Sequence, residues 1–370
     1  MRRHDPLPPR VYRRPRGPFR SRVFFAAAHV VADPLAGPQA IDWDRTLAYR
    51  HELWSWGLGV AEAMDTAQRG GGTVGWDVAR ELIRRSASAV RPGVDRLACG
   101  VGTDQLAADR FWSVTEIADA YEEQCEFVEG CGAQPIIMAS RMLAQGARSV
   151  DDYNTVYDRI LGQVSRPVII HWLGPMFDPQ LDGYWGVQHV DAAVDVVVEI
   201  IRRHEPRVDG IKLSLLDADL EVALRARLPK RVHMYTGDDF NYPSLIEGDE
   251  QRASDALLGI FDAIAPAASA AAQALDGDDR FAFRQALAPT VPLARHIFGA
   301  PTAHYKAGIV FLAYLNGHQD HFRMVDGLES SRSIVHLADL FVLADQAGLL
   351  LDAERACSRM REVLAVAGIR

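Results

Sequence analysis

Short runs of β-branched and other apolar residues alternate with amphipathic stretches from residue 22 onward, about eight times, before the pattern becomes entirely helical. Apolar runs of this length, separated by segments with helical periodicity, are typical of buried parallel strands joined by helices. The pattern therefore predicts an α/β protein, specifically a (β/α)8 TIM barrel. The predicted strands are 23–31, 59–64, 96–102, 135–140, 167–172, 208–215, 232–236 and 256–261.

Helix starts and proline positions divide the chain further. Ser113 and Glu116 have the spacing of a capping box, which predicts a helix reaching residue 128, and Asp42 is a predicted N-cap for the segment 43–56. Beyond Pro266 the chain is rich in Ala, Leu and Arg and reads as helices interrupted by further prolines. We expect a basic tail at 1–21, the barrel at 22–265 and a C-terminal helical extension at 266–370.

Charge is distributed unevenly between the tail and the rest. The first 22 residues contain eight arginines against Asp5 alone and carry about +7, and the whole chain carries −9, which leaves the body near −16. An acidic body argues against a nucleic-acid enzyme, so we expect a solvated arm or one that contacts another subunit. The tail has no apolar stretch typical of a signal peptide, and no run of eighteen apolar residues suggests a membrane span.

Cysteines and glycines argue against a bound metal or nucleotide. The four cysteines have no paired metal-ligand spacing and are expected to be reduced thiols in the cytoplasm. No Walker motif, phosphate-binding glycine loop or GxGxxG sequence follows a predicted strand. We therefore expect neither a cofactor nor a metal.

Lysine occurs only three times, at positions 212, 230 and 306, among 40 basic residues. Lys212 lies within the apolar run 208–216, which is predicted to be a buried strand. A desolvated lysine loses its proton readily and attacks carbonyl groups, whereas arginine stays protonated and forms no imine. The alternative is a lysine that extends to water at the strand end or pairs with a carboxylate.

Polar side chains recur where the predicted strands end, and in a barrel these ends form the catalytic face. Each such residue alone is more often a helix cap, and Trp172 is as readily explained by core packing, but their recurrence indicates one site. One of the two acids at 238 and 239 is expected to cap the helix that begins near residue 242. The candidates are His29, Asp65, Thr66, Asp104, Arg141, His171, Trp172, Lys212, Ser214, Tyr235, Asp238 and Asp239.

Two segments resemble the dihydrodipicolinate synthase and N-acetylneuraminate lyase superfamily of class I aldolases. They are the Asp-Gly-Ile-Lys sequence ending at Lys212 and the Tyr-Thr-Gly-Asp-Asp sequence at 235–239, supported by residues 41–60 and 166–171. More closely, GLGVAEAMDTAQRG, MASR, HWLGPMFDP, GIKLSLLDA, YTGDDFNYP, LLGIFDAIAP and HYKAGIVFLAYLNGHQDHF resemble a family known as domain of unknown function 993. The resemblance implies that Lys212 forms the imine and that the protein is a dimer or tetramer.

The chain departs from this superfamily at two positions. Met64-Asp65-Thr66-Ala67 stands where the superfamily has a Gly-Thr-Thr-Gly loop that binds the substrate carboxylate, so Asp65 would repel an anion. His171-Trp172-Leu173-Gly174-Pro175 stands where the superfamily has a Tyr-Asn-x-Pro motif whose tyrosine transfers protons. His171 can take over that transfer near neutral pH. These departures favour a neutral, hydroxyl-rich carbonyl substrate over pyruvate.

The leading hypothesis is a class I aldolase or lyase that makes or breaks a carbon–carbon bond, or eliminates water, through an imine at Lys212. His171 or Asp65 would move the proton, and the other candidates would bind the substrate. One alternative is a metal-dependent aldolase, isomerase or hydrolase whose ligands come from His29, Asp65, His171 and Asp104 or Asp239. The other is a barrel that binds a sugar-like ligand without catalysis.

Overall fold

The computed structural model describes residues 5–70 and 73–369, and its eight strands form a closed barrel in chain order. The strands are β1 (Phe24–Ala27), β2 (Gly59–Glu62), β3 (Leu97–Val101), β4 (Gln134–Met138), β5 (Val168–Leu173), β6 (Val208–Ser214), β7 (His233–Thr236) and β8 (Asp255–Leu258). Neighbouring strands from β3 to β8 pair in parallel. The predicted (β/α)8 TIM barrel is therefore confirmed.

Helices follow most strands and make up most of the chain after β8. In the described residues they are α1 (Trp43–Ser55), α2 (Trp76–Ala89), α3 (Val114–Gly130), α4 (Arg141–Gly146), α5 (Val150–Gln163), α6 (Val190–Arg203), α7 (Ala218–Arg227), α8 (Tyr242–Glu247), α9 (Ile260–Ala263), α10 (Ala265–Asp276), α11 (Arg280–Leu287), α12 (Val291–Ile297), α13 (Tyr305–Leu315), α14 (Ile334–Gln346) and α15 (Ala353–Val366). None of these helices has the length and hydrophobicity needed to cross a membrane.

The predicted helix starts agree with the structure. Ser113 and Glu116 form both halves of the capping box at the start of α3, and the Asp42 side chain accepts a hydrogen bond from the backbone of Arg45 in α1. Pro266 and Pro292 lie in the first turns of α10 and α12. Proline is favoured there because its missing N–H would have no partner inside the helix. The C-terminal helical part is thus confirmed.

The chain forms two compact units. The first comprises residues 1–60, 66–74 and 258–370, and the second comprises 61–65 and 75–257, with residues 1–4, 71, 72 and 370 outside the described part. The predicted tail and the C-terminal helices therefore belong to the same unit. The second unit contains β3 to β7 and nearly all of β8, together with the strand ends that carry Lys212 and His171.

The described part of the basic tail lies along its own chain within the first unit. The backbone N–H of Leu7 donates to the buried Asp345 carboxylate at 3.0 Å, and Arg14 forms an ion pair with Glu52 at 2.9 Å. Phe19 is buried. These contacts anchor a segment that the sequence predicted to be either solvated or held against another subunit.

Candidate functional site

Lys212 and His171 stand next to each other on adjacent strands of the second unit. They are paired in register between β6 and β5, so their side chains emerge from the same face of the sheet. Both side chains are buried, with exposed fractions of 5% for Lys212 and 2% for His171. Two ionisable side chains buried together in this way mark a candidate reactive centre.

The environment of Lys212 favours the neutral amine. Burial lowers the pKa of its ammonium group below the ordinary lysine value, although the Asp65 and Asp239 carboxylates oppose this by favouring the charged form. Desolvation is the larger of these effects. A neutral amine is the form that attacks a carbonyl carbon, while the two acids keep the charged form accessible.

His171 is neutral in this environment. Burial holds the pKa of its imidazole well below the ordinary histidine value, and the ammonium form of Lys212, when present, lowers it further. Its Nε2 lies 3.2 Å from the Ser214 hydroxyl, two residues beyond Lys212 on the same face of β6. Its Nδ1 is buried and has no hydrogen-bond partner within the described residues. Such an unpaired buried nitrogen is uncommon and indicates a place where a ligand atom completes the hydrogen bonding.

Gly237 closes the site from β7, and sequence reasoning gave it no role. A Cβ atom there would lie 2.2 Å from the Ser214 Oγ, 2.7 Å from the Leu213 carbonyl oxygen and 3.0 Å from the Lys212 Cε. Its backbone N–H donates to that same carbonyl oxygen at 2.9 Å. Only glycine lets the chain after β7 approach the lysine this closely. The sequence signal was present, since Gly237 begins the Gly-Asp-Asp turn.

Substituting alanine for Gly237 should displace Ser214 and Lys212 while leaving the barrel folded. We expect reductive trapping of a carbonyl compound on Lys212 to fall about 100-fold, because a misplacement near 1 Å has this effect on a reacting group. Overpacking should reduce the free energy of unfolding by about 1–3 kcal/mol. The control is Gly130→Ala, where a Cβ would meet open space. Equal trapping by both variants would contradict the proposed role of Gly237.

The two acids of the turn after β7 have separate functions. The Asp238 carboxylate accepts hydrogen bonds from the backbone of Phe240 and Asn241 at 2.8 and 3.0 Å, so it caps the turn leading into α8. The buried Asp239 instead acts on the charge of Lys212. Asp238 thus stabilises the turn before the helix, whereas the N-cap of α8 is Asn241, so the expectation that one of the two acids caps this helix is wrong.

Glu221 of α7 is a buried acid near Asp238 that sequence reasoning missed. It accepts a hydrogen bond from the Ser254 hydroxyl at 2.7 Å. Burial raises the pKa of Glu221 to about 8, and the charge of Asp238 adds to the increase, while hydrogen bonds from Ser254 and Thr236 oppose it. Glu221 is therefore largely protonated at neutral pH and adds little negative charge behind the turn.

Glu221→Gln should stabilise the protein at alkaline pH. The folded state keeps a proton that the unfolded chain loses near pH 4.5, so wild-type stability falls as the pH rises from there to about 8. Glutamine is neutral throughout, and we expect the variant to be more stable by about 4 kcal/mol at pH 8 and nearly equal in stability at pH 4.5. Denaturant unfolding at the two pH values measures this. A gain independent of pH would show that Glu221 is ionised.

Two predicted binding residues in the second unit are directed elsewhere, although Tyr235 is paired in register with Lys212 and shares its face of the sheet. Trp172 is paired in register with Leu213, on the face opposite His171, and packs edge-to-face against Trp185 with ring centroids 5.9 Å apart. The Tyr235 hydroxyl donates to the Asp209 carboxylate at 2.7 Å, near the amino end of β6. The first residue therefore packs in the core, and the second is directed away from the strand ends.

The remaining predicted residues of this unit are bound to other partners. Asp104 is exposed and accepts a hydrogen bond from Gln124 at 3.0 Å. Arg141, in the first turn of α4, forms an ion pair with Asp178 at 2.5 Å. These contacts do not test the substrate-binding role of either side chain, which stays a prediction.

The structure places His29 and Thr66 in the first unit. His29 Nδ1 lies 2.9 Å from the buried Asp262 carboxylate, and its Nε2 lies 3.2 Å from the Gln319 side chain. The Thr66 and Tyr305 hydroxyls are 2.5 Å apart. Both predicted binding residues therefore have partners within their own unit.

The ligand set of the metal-dependent alternative does not come together. Across residues 5–70 and 73–369, no three His, Cys, Asp or Glu side chains are grouped so that they could hold a metal ion. The two histidines of that set also differ in their contacts, since His29 pairs with Asp262 and His171 with Ser214. The geometry gives this alternative no support.

Sequence comparison identifies one family. The model of the family described as "Protein of unknown function (DUF993)" matches residues 2–369. Among curated proteins, none is significantly similar to the chain. The match covers both units and includes Lys212, His171 and Gly237.

Solved structures with a similar fold are dihydrodipicolinate synthases. The 4-hydroxy-tetrahydrodipicolinate synthase of Methylacidiphilum fumariolicum SolV is 16% identical, with a TM-score of 0.66 over 94% of this chain and 98% of its own. The Aquifex aeolicus enzyme is 13% identical, with a TM-score of 0.67 over 90% and 99%. The chloride-inhibited Acinetobacter baumannii enzyme complexed with pyruvate is 15% identical, with a TM-score of 0.65 over 89% and 100%. At these identities the similarity shows the fold.

Proposed function

The chain belongs to the DUF993 family, and we propose that it is a class I lyase that forms an imine between Lys212 and a small carbonyl compound. The observation that carries the proposal is a buried lysine with a lowered pKa, in register with a buried neutral histidine. The fold, shared with dihydrodipicolinate synthases, supports the same reaction class.

The chemistry follows from the two side chains. The neutral Lys212 amine adds to the carbonyl carbon, and loss of water with uptake of one proton from solvent gives an iminium ion that withdraws electrons from the neighbouring bonds. Cleavage of a carbon–carbon bond, or loss of water from the next carbon, then needs a group that moves one proton. His171 stands beside Lys212 and is neutral, so it can accept that proton.

The acids around Lys212 should set the pH range of imine formation. Asp239 favours the ammonium form, so Asp239→Asn removes a negative charge and lowers the pKa of Lys212 further. The midpoint of the pH dependence of borohydride trapping should therefore move to lower pH. Asp195→Asn, which removes a surface carboxylate paired with Arg227, is the matched control and should leave the midpoint unchanged. A midpoint that moves upward in Asp239→Asn would contradict this arrangement.

We propose further that the substrate is neutral and hydroxyl-rich. Asp65 and Asp239 both act electrostatically on Lys212, so a carboxylate on the imine carbon would lie near two negative charges. Carboxylate oxygens are good acceptors for the hydroxyl groups of a keto sugar or polyol. The unpaired Nδ1 of His171 offers one more polar contact.

The rate of borohydride trapping with dihydroxyacetone, hydroxypyruvate and pyruvate at equal concentrations tests this function. Dihydroxyacetone should be trapped about tenfold faster than pyruvate, which corresponds to about 1.4 kcal/mol of repulsion. Asp65→Asn should narrow the difference by accelerating trapping of pyruvate. A wild-type protein that prefers pyruvate would contradict the substrate class, and one that traps no carbonyl compound would contradict the lyase.

Location and assembly are part of the same proposal. The four cysteines are thiols, which fits a reducing compartment, and we infer that the enzyme works in the cytoplasm. We also infer a homo-oligomer, on the resemblance to the superfamily. Its expected partner is the small carbonyl substrate, with neither nucleic acid nor membrane involved.

A further inference from the structure

We propose that Ser214 is a catalytic residue whose hydroxyl carries the proton between His171 and the carbon skeleton bound to Lys212. The inference rests on the proposed imine at Lys212 and adds the path by which the proton moves. It starts from the position of the hydroxyl, which lies 3.2 Å from His171 Nε2 and follows Lys212 by two residues on the same face of β6.

The surroundings hold this hydroxyl in one place. Gly237 packs so closely that a Cβ atom there would lie 2.2 Å from the Ser214 Oγ and 3.0 Å from the Lys212 Cε. The Ser214 carbonyl oxygen accepts a hydrogen bond from the backbone of Gly174 at 2.9 Å, which fixes the end of β6. The hydroxyl is therefore held beside both the imidazole and the end of the lysine side chain.

His171 has one nitrogen directed at Ser214 and one with no protein partner in the described residues. A neutral imidazole carries one proton. When that proton is on Nδ1, the Nε2 lone pair accepts a hydrogen bond from the Ser214 hydroxyl. This tautomer makes Nε2 the base and Ser214 the group between the base and the substrate.

The first proton transfer forms an enamine and an imidazolium ion. A C–H bond next to the iminium carbon breaks, its electron pair forms the carbon–carbon double bond of an enamine, and its proton passes to the Ser214 oxygen. The original Ser214 proton passes at the same time to His171 Nε2, which gives an imidazolium ion. In cleavage, the proton of the substrate hydroxyl takes the same path while the carbon–carbon bond supplies the electron pair. The reverse transfer returns a proton to the enamine.

Dihydroxyacetone in D2O tests this path, because the wild-type protein should exchange its carbon-bound protons for deuterium through the enamine. Ser214→Ala should slow exchange about 100-fold, as expected when a proton-transfer group is lost, yet still give the borohydride adduct on Lys212. Ser214→Thr should restore exchange to within about tenfold of wild type. Ser269→Ala, which removes a buried serine hydroxyl from α10, is the control and should exchange normally.

A double variant distinguishes a proton path from simple positioning. Ser214→Ala combined with His171→Asn should exchange no more slowly than the slower single variant, since both lie on one path. The role of Ser214 would be overturned if the double variant lost exchange by the product of the two single losses, or if Ser214→Ala exchanged at the wild-type rate. Neither result would contradict the proposed imine at Lys212. A wild-type protein that neither exchanges dihydroxyacetone protons nor forms the adduct would overturn the proposed function, and this inference with it.

Discussion

Replacing Lys212 by arginine is expected to abolish deuterium exchange into dihydroxyacetone, with a loss of about 1,000-fold or more, because arginine keeps its proton and cannot form an imine. The fold should survive, since the other residues of β6 keep their register with β5 and β7. The guanidinium group also keeps a positive charge near Asp65 and Asp239. Proton NMR in D2O measures the exchange, and circular dichroism establishes that the variant is folded.

The two other lysines provide the control for this prediction. Lys306 lies over the Tyr305 ring at 4.9 Å in the first turn of α13, and Lys230 is exposed. Neither is enclosed beside a neutral histidine, so Lys306→Arg and Lys230→Arg should exchange at the wild-type rate. If Lys306→Arg lost exchange and Lys212→Arg exchanged normally, Lys306 of α13 would be the imine-forming residue instead of Lys212.

His171→Asn should slow proton exchange about 100- to 10,000-fold while the borohydride adduct still forms on Lys212. Asparagine can keep one hydrogen bond to Ser214, but it cannot accept and return a proton. In the wild-type protein, the lowered pKa of His171 keeps the base form populated as the pH falls. Titration of His171 should therefore leave the exchange rate unchanged from pH 8 to the ordinary histidine pKa near 6.5, and a decline within this range should follow the protonation of Lys212 instead.

His233→Asn is the matched control, since it also removes a strand histidine. His233 lies at the start of β7, the end opposite the catalytic face, and forms a partly exposed ion pair with Asp255 at 2.5 Å. The His233→Asn variant should exchange dihydroxyacetone protons at the wild-type rate. If His171→Asn and His233→Asn lost exchange equally, the effect would be one of stability, and His171 would have no place in proton transfer.

The barrel could be predicted because each strand is buried on both faces and reads as an apolar run. The strand ends were harder, as β1 shows: the apolar pattern continued to residue 31, but the strand stops at Ala27. Beyond it, the His29 and Val31 backbone N–H groups donate to the Asp262 carboxylate and the Thr46 hydroxyl. Buried coil satisfied by side chains has the composition of a strand, so the sequence could not separate them.

At the site, the alternation of side chains along a strand explains why Lys212, Ser214 and His171 lie together and Trp172 does not. Lys212 and Ser214 share one face of β6, and His171 meets them from β5. Trp172, one residue later, must face the other way, so the alternation itself could have removed it from the candidates. The direction of Tyr235 depends on Asp209, across the strand pair, and no local pattern reports that contact.

Peptide mass spectrometry of the wild-type protein after borohydride reduction with dihydroxyacetone tests imine formation at Lys212 most directly. We predict one adduct, with the mass of the reduced imine, on the peptide that contains Lys212. We also predict that the adduct disappears in Lys212→Arg. An adduct on Lys230 or Lys306, or no adduct at any carbonyl concentration, would contradict the claim that Lys212 is the imine-forming residue.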